Sequence, residues 1–319
     1  MTHMPGSDIL FPPLSSLKRD SKTLAYCAYA AICIIWGTTF VAIRVAIESI
    51  PTLFVSGLRF VAAGLMLSLI ALVSGARFPK MWREWRAQIV SGVLMSALAN
   101  TFVVYAERVL TSGLAALLAA AIPIWMSVVE AIAGLSPLTR RKIFGLTLGF
   151  SGVGLLVAPA IGRPDLSWPF FIAVGAMQLN CIFWTAGTLY SRRHTVSSQP
   201  MANATIQMLA GGSSVMLFAF AIGQRPHPSM FSERSMIALL YLAVFGSVIA
   251  YTAYNYALTK LSAGKVSSYA YVNPAVAVVV GALLLDEVVT LRMLCAMFVI
   301  LAGVAVIQRE KRVAMTPRT

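Results

Sequence analysis

Ten stretches of about 20 residues in this chain carry almost no charge, and they leave room for little else. They lie at about 24–45, 51–73, 87–109, 113–135, 142–161, 168–190, 200–222, 235–258, 263–285 and 290–308. A hydrocarbon core of roughly 30 Å is crossed by about 20 apolar residues wound as a helix. A helix also satisfies its own backbone polar groups, which lipid cannot do. The connections are short and marked by Pro, Gly and charge, as at Ser49 to Pro51, Ser136-Pro137, Gly162 to Pro164, Gln199-Pro200 and Gly223 to Pro228. None can hold a soluble domain. With 59% apolar and 11% charged residues, the chain cannot build a water-exposed surface; soluble domains are about half apolar and a quarter charged. The expected fold is all-α and integral to the membrane, with ten transmembrane helices. The first 23 residues are polar, with Pro5, Pro12 and Pro13, and lack the short apolar core of a cleavable signal, so the first run is expected to stay as a helix.

The net charge of +14 would suggest nucleic-acid binding in a soluble chain. Membrane proteins instead concentrate Lys and Arg in cytoplasmic loops. With the N-terminus inside, the inner loops and tails hold Lys18, Arg19, Lys22, Arg77, Lys80, Arg83, Arg86, Arg140, Arg141, Lys142, Arg192, Arg193, Lys260, Lys265, Arg309, Lys311, Arg312 and Arg318, or 18 of the 25 cations. The outer side holds six, Arg44, Arg108, Arg163, Arg225, Arg234 and Arg292, and Arg59 lies within helix 2. This asymmetry predicts that both termini are cytoplasmic and accounts for the charge without nucleic acid.

Sliding the chain against itself by 151 residues aligns 93–153 with 244–304 without a gap, and 17 of the 61 positions are identical, against roughly 7–9% by chance. The matches include Ser96 with Ser247, Thr101 with Thr252, Tyr105 with Tyr256, Gly113 with Gly264, Pro123 with Pro274, Thr139 with Thr290 and Gly152 with Gly303. Upstream the offset becomes 148 and pairs Cys33 with Cys181 and Trp36 with Trp184. The chain therefore divides into a cytoplasmic tail (1–23), a five-helix repeat (24–161), a second five-helix repeat (168–308) and a basic cytoplasmic tail (309–319). Five is odd, so the second repeat enters the membrane inverted. Inverted repeats are a transporter architecture in which two bundles rock about a midplane site.

The residues Trp36-Gly37-Thr38-Thr39-Phe40 in helix 1, Pro51 with Arg59 in helix 2, the prolines of helices 4 and 9, and Asp286-Glu287 before a Gly-containing last helix occur in this order. With the duplication they resemble the drug/metabolite transporter superfamily, in its ten-helix EamA-like family of metabolite and amino-acid exporters. The resemblance covers about 24–308 and implies a multi-pass protein of the bacterial inner membrane. The acidic pair departs from the repeat, since Leu135-Ser136 stands in its place in the first half.

Polar side chains are costly in lipid unless they face protein or a water-filled cavity. Helices 5 and 10 offer only Thr147, Ser151 and Cys295, whereas helices 1, 3, 6, 8 and 9 carry the polarity. Helix 3 has Ser96 and Asn100, helix 6 Asn180, Trp184 and Thr188, and helix 8 Ser247, Tyr251 and Asn255, each set four residues apart on one face. Helix 9 adds Ser267, Ser268, Tyr271 and Asn273. Such residues often only bridge neighbouring helices. Together, Trp36, Asn100, Asn180, Trp184, Ser247, Tyr251, Asn255, Tyr271 and Asn273 are expected to line one substrate cavity. Pro123 and Pro274 each free a carbonyl four residues back, Ala119 and Ala270, and are either static kinks or a pair of hinges. Arg59 can meet a substrate carboxylate or snorkel to the outer interface. Glu130 and Lys265, at similar depth in opposite repeats, are expected to pair across the inner mouth. No carboxylate stands at the midplane, which points to downhill or weakly coupled transport.

No Gly-x-x-x-x-Gly-Lys-Ser/Thr loop exists for a nucleotide, and no Gly-x-Ser-x-Gly elbow or membrane-embedded His for catalysis. Cys27, Cys33, Cys181 and Cys295 and the three histidines are scattered, so neither metal nor disulfide is expected, and no cofactor. What remains is a secondary or facilitative transporter with lipid and a small molecule as its partners. A neutral lining of amides and aromatic rings suits zwitterions. The family resemblance implies amino acids, the aromatic lining large neutral or aromatic ones. The alternative is a cationic drug exporter; short relatives in the superfamily use a glutamate within helix 1, where this chain has no acid before Glu48.

Overall fold

The computed structural model describes residues 21–158, 167–194, 200–261, 266 and 269–308, and every regular element among them is helical. In chain order these are α1 (Ser21–Ala46), α2 (Thr52–Val73), α3 (Trp82–Gly92, a π-helical turn Val93–Ala99, then Asn100–Ala106), α4 (Ser112–Ala119 and Ile122–Ile132) and α5 (Arg140–Val157). They continue as α6 (Ser167–His194), α7 (Pro200–Ala221), α8 (Glu233–Ala243, a π-helical turn Val244–Ile249, then Ala250–Lys260), α9 (Tyr269–Leu285) and α10 (Leu291–Gln308).

Seven segments are long and apolar enough to cross a membrane: Lys22–Ala46, Thr52–Val73, Trp82–Ala106, Ser112–Ile132, Trp168–His194, Met201–Ala221 and Glu233–Tyr254. Tyr269–Leu285 and Leu291–Ile307 are shorter apolar helices, and Arg140–Val157 opens on three cations. Large apolar side chains such as Leu65, Leu69, Phe144, Leu283 and Phe298 point outward, as a lipid-facing surface requires.

Local signals fix the helix ends. Thr139 and Thr290, equivalent in the repeat, accept from Lys142 N and Met293 N and start α5 and α10 alike. At the ends of α4 and α9, Gly134 and Asp286 both take a positive φ, and the next amide bonds back along the helix, Leu135 N to Glu130 O, five residues back, at 2.8 Å and Glu287 N to Gly281 O, six residues back, at 3.2 Å. Asp286 thus does with a side chain what glycine does at the end of α4.

The helices exchange neighbours symmetrically. α2 packs on α7 and α5 on α10, while α1 packs on α8 and α9 and α6 packs on α3 and α4. Both equivalent pairs meet through glycine: a Cβ on Gly212 would lie 2.9 Å from Gly57 O, and one on Gly303 would lie 2.5 Å from Gly149 N. Backbone-to-backbone approach of this kind is how small residues hold helices together in lipid.

Two features interrupt the regular α-helical winding of the expected spans. α4 is interrupted at Ala120 and Ala121, because Pro123 has no amide for the Ala119 carbonyl and the chain turns through Ala121 N to Leu118 O (3.2 Å) before restarting. Pro274, its counterpart, lies inside the continuous α9. The π-helical turns in α3 and α8 are the second departure. They begin at Val93 and Val244, 151 residues apart, so the same one-residue widening recurs in both halves.

Candidate substrate site

Asn100 and Tyr251, just beyond the two π-helical turns, line a central cavity, and backbone carbonyls of the turns hold other lining side chains in place. A π turn leaves carbonyls without their usual partners. In α8, Gly246 O accepts from Trp36 Nε1 of α1 at 3.1 Å and from Arg59 Nη2 of α2 at 3.3 Å. Arg59 Nε donates to Ser247 Oγ at 2.9 Å, and the Ser247 hydroxyl donates in turn to Leu242 O at 3.0 Å, a five-residue step that the π turn allows. In α3, Ala99 O accepts from Asn180 Nδ2 of α6 at 2.8 Å. Each half's first helix is therefore tied to the π turn of the other half.

The cavity is lined by Trp36, Thr39, Phe40, Ile43, Arg59, Phe60, Asn100, Val103, Ala116, Ala119, Ala120, Ile122, Asn180, Trp184, Tyr251, Tyr269, Ala270 and Asn273. Trp36 stands at the centre of an aromatic cluster, with ring centroids 4.7 Å from Tyr269, 5.7 Å from Tyr251 and 6.1 Å from Trp184, all edge-on. Arg59 is 4% exposed, lies 5.0 Å over the Phe60 ring and has no ion-pair partner among the described residues. Two polar atoms are left over. Asn100 Oδ1 has no hydrogen-bond partner, and Tyr251 Oη has no well-formed one, the Ser96 hydroxyl being the side chain that faces it. The Asn273 amide, oriented as its neighbours require, donates to Tyr269 O at 3.1 Å and Cys33 O at 3.0 Å. A buried cation, an unsatisfied carbonyl acceptor and apolar ring faces thus converge on one space.

Of the residues singled out in the sequence, Trp36, Asn100, Asn180, Trp184, Tyr251 and Asn273 line this space. Ser247 stands behind the wall and acts on it through Arg59. Tyr271 packs against the apolar core instead of lining the cavity. Asn255 lies on α8, but its side chain is outside the described residues, as is Lys265. The expected Glu130–Lys265 pair therefore falls outside the described residues; Glu130 sits half-buried near the end of α4, away from the cavity. Arg59 does not snorkel, because Ser247 and Gly246 hold it inward. Pro123 and Pro274 do not touch the space, but Ala119 and Ala270, whose carbonyls they free, both line it. Tyr269 was missed, although it shares a helical face with Asn273 four residues on, whereas Tyr271 lies about 200° round from both.

Two acids lie together at one end of the bundle, where the α9–α10 connection meets the start of α4. Glu287, in the α9–α10 connection, grips the start of α4: Ser112 N donates to Oε1 at 2.7 Å, and Ser112 Oγ and Gly113 N donate to Oε2 at 2.9 and 3.1 Å. Beside it Glu107, just beyond the last turn of α3, is wholly buried, and Arg44 Nη1 donates to its backbone carbonyl.

An apolar helical bundle enclosing a polar, aromatic cavity defines a multi-pass membrane transporter. The chain belongs to the EamA-like transporter family, which matches it twice, over residues 23–158 and 171–309. It is similar to the uncharacterized inner membrane transporter YedA of Escherichia coli (strain K12), 34% identical over 256 residues that span 80% of each chain. Protein PagO of Salmonella typhimurium is 28% identical over 257 residues, 78% of this chain and 81% of that one. The WAT1-related protein At3g02690, chloroplastic, of Arabidopsis thaliana is 26% identical over 267 residues, 79% of this chain and 61% of that one. A crystal structure of another protein, 19% identical, superposes with a TM-score of 0.62 over 89% of this chain and 96% of its own, a likeness of fold.

Proposed function

We propose that this protein is a secondary or facilitative exporter of amino acids, large neutral or aromatic ones, working by alternating access. It crosses the inner membrane ten times as two inverted five-helix repeats with both termini in the cytoplasm. The 18-to-6 division of cations supports that orientation. The repeat is supported by the lining itself, where equivalent positions face each other in pairs: Trp36 with Trp184, Asn100 with Tyr251, Ala119 with Ala270, and Ile122 with Asn273. A site shared this evenly between two halves is reachable from either face as they rock.

The observation that carries the substrate class is Arg59, the one charged side chain lining the cavity among the described residues. Its guanidinium supplies donors for a carboxylate. Asn100 Oδ1 supplies an acceptor for an ammonium group. The Trp and Tyr faces accept an apolar side chain between them. A fixed cation disfavours the cationic-drug alternative, since like charges in a low-dielectric site repel strongly.

Counterflow in proteoliposomes, with each of the twenty amino acids preloaded, tests this. Large neutral amino acids should exchange, and Arg59→Gln should lower exchange at least tenfold. Exchange of organic cations and of none of the amino acids would refute the reading.

A further inference from the structure

Glu107 is the most deeply buried acid among the described residues, and neither of its carboxylate oxygens has a hydrogen-bond partner. The charged groups that face it come from three elements. Arg44 of α1 is nearby but directs Nη1 to the Glu107 backbone carbonyl. Arg59 of α2 is held by Ser247 and Gly246. Glu287 brings a second carboxylate, itself occupied by the start of α4. No cation forms an ion pair with Glu107 among the described residues. A bare carboxylate without hydrogen bonds is strongly disfavoured in such a place, and a like charge nearby adds to the penalty, so the neutral acid is the form that fits.

A mouth that opened at this end would reverse the balance: parting α4 from Glu287 would admit water to the 107–111 turn and hydrate the carboxylate. We propose that Glu107 is a proton-binding site linked to closure of this mouth. The closed mouth holds Glu107 as the neutral acid and the open mouth as the carboxylate, with the proton taken from and returned to the water at that mouth. The inference rests on the proposed function only in placing this mouth on the outer side. It adds to the expectation of downhill or weakly coupled transport, which considered only midplane acids, an acid at the end of a helix.

One linked proton changes the open-to-closed ratio by up to tenfold per pH unit, and the sign is fixed: closure is favoured as pH falls, and is lost as pH rises. Spin labels at Val109→Cys and Val288→Cys, on the two sides of the mouth, report the ratio in the full chain with Cys27, Cys33, Cys181 and Cys295 replaced. The short-distance population should grow as pH falls. Glu107→Gln, a neutral stand-in for the acid, should stay closed at every pH, whereas Glu48→Gln, at an exposed acid, should keep the wild-type response. A pH-independent ratio, a ratio moving the opposite way, or an unchanged slope in Glu107→Gln would overturn the proposal. Should Glu107→Gln not fold, the infrared carbonyl band of a protonated carboxylic acid in the wild type decides, and its absence at low pH refutes the site. Access of an impermeant maleimide to Val109→Cys in intact cells separately tests which side the mouth faces.

Discussion

An alanine at Gly303 would meet only backbone. Its Cβ would lie 2.5 Å from Gly149 N, 2.7 Å from Gly145 O and 2.8 Å from Gly149 Cα. Non-bonded carbon prefers about 3.5–4.0 Å, so α10 must draw back from α5 by roughly 1 Å. No rotamer change can relieve a clash with main chain. The cost should fall at the upper end of the range of about 1–3 kcal/mol for overpacking. The retreat also loosens Ile300 and Ile307, which fit against Gly152 and Gly145. Gly154, on the exposed face of the same α5, has nothing within 4 Å of its would-be Cβ. Gly154→Ala should therefore stabilise the protein by about 0.5–1 kcal/mol, the helical advantage of alanine. Unfolding of both variants in mixed micelles, followed by tryptophan fluorescence, gives the two signs in one experiment. If Gly303→Ala were as stable as wild type, or if both variants moved the same way, the glycine seam would not be what holds α5 to α10.

Arg59→Lys keeps the charge but not the planar fork, and counterflow of a large neutral amino acid should fall about tenfold or more; unchanged exchange would remove Arg59 from the site. Trp184→Ala should weaken exchange strongly, whereas Thr147→Ala, on the exposed face of α5, should leave it unchanged; equal losses would point to folding defects. Pro123→Ala and Pro274→Ala should shift cysteine accessibility toward opposite faces if the prolines are paired hinges. The larger shift should come from Pro123→Ala, which closes the break at Ala120–Ala121. A shift in the same direction would make them static kinks.

The apolar runs announced helices at the right places because about 20 uncharged residues in succession have few other folds available. Six of the nine lining residues picked from the sequence face the cavity, because spacing by four keeps side chains on one helical face, as with Asn180 and Trp184. The misses have local causes. Tyr271 was chosen for its chemistry over its angular position. Glu107 was not singled out, since sequence does not say which helix ends are buried. The π turns left no signal: Val93–Ala99 and Val244–Ile249 are ordinary apolar stretches, and the carbonyls that Trp36, Arg59 and Asn180 engage there come together only in the fold.

Those turns give each long helix one residue of slack. A helix that gains or loses a residue within a turn swivels everything beyond it by about 100°. Slack can travel along a helix by exchanging one backbone hydrogen bond for its neighbour, without the helix ever coming apart. Moved along α8, it would take Gly246 O out of reach of both Trp36 and Arg59. The carbonyls that hold Trp36, Arg59 and Asn180 in place would then lie on the same six or seven residues of main chain that could release them, present once in each half.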